Sequence, residues 1–86
     1  MENKLTLSRV RWIWKLERSE CDHDEVDAFI VCAMHQEDAR EIAAKDCGDE
    51  GPEVWRAETK GATCRIVGRA LAWQLEGVLL RSFNAV

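Results

Sequence analysis

A single stretch of helical periodicity, "QEDAREIAAKDCG", stands between two blocks of extended pattern, and this most limits what the chain can become. In it Ala39, Ile42, Ala43 and Cys47 recur at helical spacing and form one narrow apolar stripe. Glu37 and Asp38 occupy the first turn, where the helix dipole favours acids. Glu41 and Lys45 stand four apart in the favourable order. Gly48 is expected to close the helix in a left-handed conformation. Small alanines dominate the stripe, so the helix can lie close against a sheet.

Before the helix, "SRVRWIWKLE" alternates: Val10, Trp12, Trp14 and Leu16 share one face, and Arg9, Arg11, Lys15 and Glu17 the other. Only Ile13 breaks the pattern. A polar loop follows. "VDAFIVCA" then carries a nearly continuous apolar run, Phe29 to Cys32, as expected of a strand covered on both faces. After the helix, "TCRIVG" and "GVLLRSF" read as two further strands. Between them "RALAWQLE" reads as a strand or an irregular return, with extended structure expected. The expected fold is therefore α+β: an antiparallel sheet of three to four strands with one helix on one face, in β-β-α-β-β order. Eighty-six residues give a single domain, 1–86, with one modest core.

The segment "GDEGPEVW" combines two glycines, three carboxylates and the only proline. A phosphate cradle needs backbone donors without nearby negative charge, and Asp49, Glu50 and Glu53 oppose that. The spaced oxygen ligands of a calcium loop are also missing. The segment reads as a helix exit and turn, with Trp55 returning as an apolar anchor.

Charge is segregated. Leu16 to Glu58 holds fourteen acids against four bases, while both flanking segments are basic, and the net charge is −4. Such a chain is a poor direct binder of nucleic acid, whose affinity comes from lysines and arginines. An acidic surface instead attracts a basic protein or protein–nucleic-acid complex. Candidate partner-binding residues are Glu20, Asp22, Asp24, Glu25 and Asp27, then Asp49, Glu50 and Glu53. The plainer reading is that these acids form solvated faces of a helix and a loop.

Cys21, Cys32, Cys47 and Cys64 show no C-x-x-C spacing, and Cys21-x-His23 is the one close pair of potential zinc ligands. Cys32, Cys47 and Cys64 fall on apolar faces, where a thiol acts as a small hydrophobe. Cys21 lies among Glu20, Asp22, Asp24 and Glu25, which suppress a reactive thiolate. No cofactor, resident metal or catalytic role is expected. Structural zinc, self-association through a sheet edge, and a small hydrolase using Cys21 and His23 are the alternatives. No export leader or membrane span is expected, so the thiols read as reduced and cytosolic. Trp12 and Trp14 read as core; Trp73 reads equally as core or interface.

At "VCAMHQEDAREIAAKDCGDEGPEVW", "TCRIVG" and "GVLLRSFNA", the chain resembles a family of small phage-encoded proteins. The likeness runs from about Val26 to Val86 and rests on the order of its parts. It implies a phage or prophage origin, a compact α+β fold, no catalytic motif and residence in a host cytoplasm. Arg40, Asp49, Glu50, Trp55 and Cys64 match its recurring positions, with structural roles. Size, acidity and this resemblance suggest a non-enzymatic inhibitor of a host defence complex, anti-CRISPR-like in manner.

Overall fold

A computed structural model describes residues 10–20, 22 and 24–84. Strands β1 (Trp12–Arg18) and β2 (Glu25–Ala33) form an antiparallel hairpin, and helix α1 (Gln36–Lys45) follows. A short helix α2 (Glu53–Arg56) and a 3-10 turn (Glu58–Lys60) lead into β3 (Ala62–Arg69) and β4 (Gly77–Asn84). The sheet order is β3-β1-β2-β4, with every neighbouring pair antiparallel. The expected α+β class holds; the connection between helix and third strand is not only a turn, because it carries α2 and the 3-10 turn.

Alternation along the two inner strands builds the core. Leu16 stands opposite Phe29 and Cys64, and Trp14 opposite Val31, so these side chains share the face that α1 covers. Leu16, Phe29, Val31, Ala33, Ala39, Ala43 and Ala44 are all buried there, with Trp12 and Ile42 packed at the margin. Trp14 extends across this layer and donates its indole N–H to the Ala33 carbonyl at 2.9 Å. Trp55 is fully buried, as expected of an anchor, and meets Phe29 edge to face with ring centroids 4.8 Å apart. Each large apolar side chain buried here contributes about 1.5–3 kcal/mol.

A bulge re-aims one residue. Strict alternation back from Phe29 would place Asp27 in the core. The β2–β4 register instead shifts between Val26 and Ala28, and Val26 is the residue fully buried.

Arg40 lies on the buried side of α1 although it is charged. Its Nη1 donates to the carbonyls of Trp55 at 3.1 Å and Ala62 at 3.0 Å. One guanidinium thereby ties α1 to the end of α2 and the start of β3, and those bonds offset its loss of water. Glu41 does not serve the expected pair with Lys45: it accepts from Arg56 at 3.2 Å across to α2.

Two expectations need correction. Gly48 is not left-handed; the helix closes at Asp46, whose φ is −112°, and the positive-φ glycines are Gly51, Gly61 and Gly77. Gly48 is needed for space instead, since a Cβ there would meet the Asp24 carbonyl oxygen at 2.9 Å. Residues 70–76, expected to be extended, form an irregular crossover containing a turn. They carry the chain from β3 at one edge of the sheet to β4 at the opposite edge, bridging the edges instead of extending a ladder.

Candidate functional site

The two acidic segments meet at one end of the sheet. The β1–β2 connection brings Asp24 round in a left-handed conformation, φ 62°, which a short polar side chain tolerates. The Asp24 carbonyl then accepts from the Asp49 N–H at 3.0 Å. Residues 25 positions apart in the chain therefore become neighbours, and Glu20, Asp22, Asp24 and Asp49 are exposed.

Glu50 binds this junction together. Its Oε1 accepts from the backbone N–H of Gly48 and of Val26, both at 3.0 Å, and its Oε2 accepts the Trp55 indole N–H at 2.6 Å. Glu25 is similarly engaged: its Oε1 accepts from Arg18 at 2.8 Å and from the Asp22 N–H at 3.1 Å. The Arg18 bond chiefly, with that N–H, holds the Glu25 carboxyl below its ordinary range. Of the eight acids singled out in the sequence, these two have their carboxylates turned to the fold.

The remaining two differ again. Asp27 is half-buried at the bulge, and its Oδ1 is buried without a hydrogen-bond partner. Glu53 is exposed and paired to Arg56 at 2.5 Å, on the side where Arg56 also meets Glu41. The acidic end proper is thus Glu20, Asp22, Asp24 and Asp49, rimmed by the Arg18–Glu25 pair.

A second surface went unread in the sequence. The sheet face opposite α1 carries Ile13 toward the crossover, then the cross-strand row Arg65, Lys15, Ile30 and Leu80, and Glu17 and Ser82 toward the acidic end. The crossover 70–76 closes over the apolar part. Ala70 N–H donates to the Arg11 carbonyl at 3.0 Å, and Arg11 Nη1 donates to the Gln74 carbonyl at 3.1 Å. Leu71, Trp73 and Leu75 project from it at 59%, 74% and 78% exposure, and Leu80 is 62% exposed. The alternation of these three residues was the available signal, but it marks sidedness and not whether anything covers the side. Trp73 is therefore surface, and Trp14 is core.

Cys32 and Cys64 are buried and Cys47 half-buried, all with free thiols. Burial pushes the Cys64 thiol up to about 11 and raises that of Cys32 as well. Cys21 and His23, on which the zinc and hydrolase alternatives depend, lie outside the described residues. Among the described residues no group of three or more His, Cys, Asp or Glu is placed to hold a metal ion. None of their helices is long and apolar enough to cross a membrane.

No protein-family model, curated protein or solved structure matches the chain.

Proposed function

We propose that this chain is a non-enzymatic binding protein that meets a basic protein, or the basic channel of a protein–nucleic-acid complex, with its acidic end. The observation that carries the reading is the Asp49 N–H to Asp24 carbonyl bond, which joins two separate acidic segments into one surface. Carboxylates fixed on a hairpin and its abutting loop raise the local negative potential more than the same charges spread over the molecule. They favour fast encounter with a positive surface and register on it. The narrower form of the proposal is an inhibitor of a host defence complex that competes there with nucleic acid.

The test is capture from a host lysate with wild-type protein and with the triple variant Glu20→Lys, Asp22→Lys, Asp49→Lys. These three side chains are exposed, so the variant is expected to keep its fold by circular dichroism. The expected result is a basic partner bound by the wild type, weakened by salt and lost from the variant. A partner retained equally by the charge-reversed protein would end this reading.

A further inference from the structure

We propose that the crossover 70–76 is a membrane-docking tip, seating Leu71, Trp73 and Leu75 in the interface of a bilayer that carries anionic lipid. The proposal uses the opposite end of the molecule from the acidic-end reading and does not rest on it.

The sheet beneath the crossover is already covered. Cys32, which stands opposite Ile13 and Gly77 on this face, is fully buried. The apolar surface left in water is therefore the outer side of the crossover itself, with Leu80 beside it. Its turn is fixed: Gln74 N–H donates to the Leu71 carbonyl at 2.9 Å, and Arg11 holds Ala70 and Gln74 through the bonds described above. Leu71, Trp73 and Leu75 are thus presented without a loose loop having to be ordered on binding. Side chains this exposed form a projecting tip. A folded partner needs a recess to receive such a tip, whereas the chains of a bilayer part around it. Tryptophan and leucine next to arginine is also the composition of segments that lie in a membrane interface.

Charge names the kind of membrane. Arg11 and Arg69 stand at the root of the crossover, and Lys15 and Arg65 pair in the next row, against Glu17 and Glu76. Cations so placed are attracted to an anionic leaflet. The acids that make the whole chain negative do not oppose this. Glu20, Asp22, Asp24 and Asp49 lie beyond the far end of β1, a strand of seven residues. At roughly 3.3 Å per residue that is about 23 Å, more than twice the Debye length of about 8 Å at physiological salt. Nucleic acid is the other anionic surface, but single strands are held by stacking on aromatic rings. This side offers one tryptophan among leucines and isoleucines, which suits lipid better. With the crossover down, the acidic end points away from the bilayer.

Co-sedimentation of the purified chain with vesicles tests the proposal. Vesicles of equimolar phosphatidylcholine and phosphatidylserine should carry it down, phosphatidylcholine alone far less, and added salt should weaken the binding. Tryptophan emission should shift to the blue on the mixed vesicles, and Trp73→Phe should remove that shift while keeping most of the binding. Leu75→Glu should weaken binding by about tenfold or more. Its circular dichroism spectrum should not change, because the position is exposed. No binding to the mixed vesicles overturns the inference, as does binding that Leu75→Glu leaves intact. Equal binding to phosphatidylcholine alone overturns the anionic assignment. Binding to a single-stranded oligonucleotide in place of vesicles overturns the inference too, and gives this side to nucleic acid.

Discussion

The carboxylate of Glu50 accepts the indole N–H of Trp55 at 2.6 Å while its other oxygen holds two backbone N–H groups, those of Gly48 and Val26. One acid in an acid-rich run thus fastens the acidic loop to β2 and to the core tryptophan. Replacing Glu50 with Ala leaves these donors unmet, and hydrogen bonds to a charged group are each worth about 1.5–3 kcal/mol. We expect Glu50→Ala to lose about 3 kcal/mol in urea unfolding, and Glu50→Gln, which keeps one acceptor oxygen, about half that. If Glu50→Ala matched Asp49→Ala in stability, the Glu50 junction would carry no weight.

Gly48 and Gly51 should fail for different reasons. A Cβ on Gly48 meets a backbone oxygen at 2.9 Å that no rotamer change can move, so Gly48→Ala should cost about 1–3 kcal/mol, as overpacking does. Gly51 has open space and a φ of 84°. There Ala should cost about 1–2 kcal/mol through the left-handed backbone, and Asn should recover part of the loss. Thermal melts of Gly48→Ala, Gly48→Asn, Gly51→Ala and Gly51→Asn check this: rescue by Asn is expected only at position 51.

Acid should weaken the fold through Glu25. Its folded pKa lies below the ordinary 4.5, so its contribution is fully present above 4.5 and is lost as pH falls through the lower folded value. Stability measured by urea unfolding should therefore decline below pH 4.5. The decline should be shallower in Glu25→Gln and in Arg18→Met, which remove the two sides of one pair. An unchanged slope in both variants would assign the acid sensitivity to other groups.

Alkali should act through Cys64. Burial raises the Cys64 thiol from its ordinary 9.0 to about 11, so the folded state holds its proton longer. The contribution is complete below 9.0 and lost as pH rises toward about 11. Cys64→Ala should flatten this part of the stability curve, leaving the smaller share of Cys32, whose thiol burial also raises. Equal alkaline slopes for wild type and variant would contradict the burial of Cys64.

What was legible in the sequence was local. The alternation of Trp12, Trp14 and Leu16, and the apolar run from Phe29 to Cys32, identified both inner strands because each pattern reports directly on faces. Strand order was not legible: β3 and β4 both alternate, and nothing within either states which inner strand it joins. Leu71, Trp73 and Leu75 imitate a strand, yet they must carry the chain from one edge of the sheet to the other, and that depends on the whole strand order. Among the acids, sequence grouped Glu50 with Asp49 because both look solvated. Only the arrival of Trp55 and of the Val26 N–H distinguishes them. Arg40 was recognised as structural, but its carbonyl partners come from residues 15 and 22 positions away.

The order β3-β1-β2-β4 bears on synthesis as well. Only the central hairpin joins nearby residues; Arg18 meets Ala62, and Glu25 meets Asn84. A nascent chain can form that hairpin early, but it carries two unguarded hydrogen-bonding rails until the second half of the polypeptide has left the ribosome. Closure over such long separations is slow compared with helix formation. Growing chains crowded together would therefore be at their most adhesive just before Asn84 emerges.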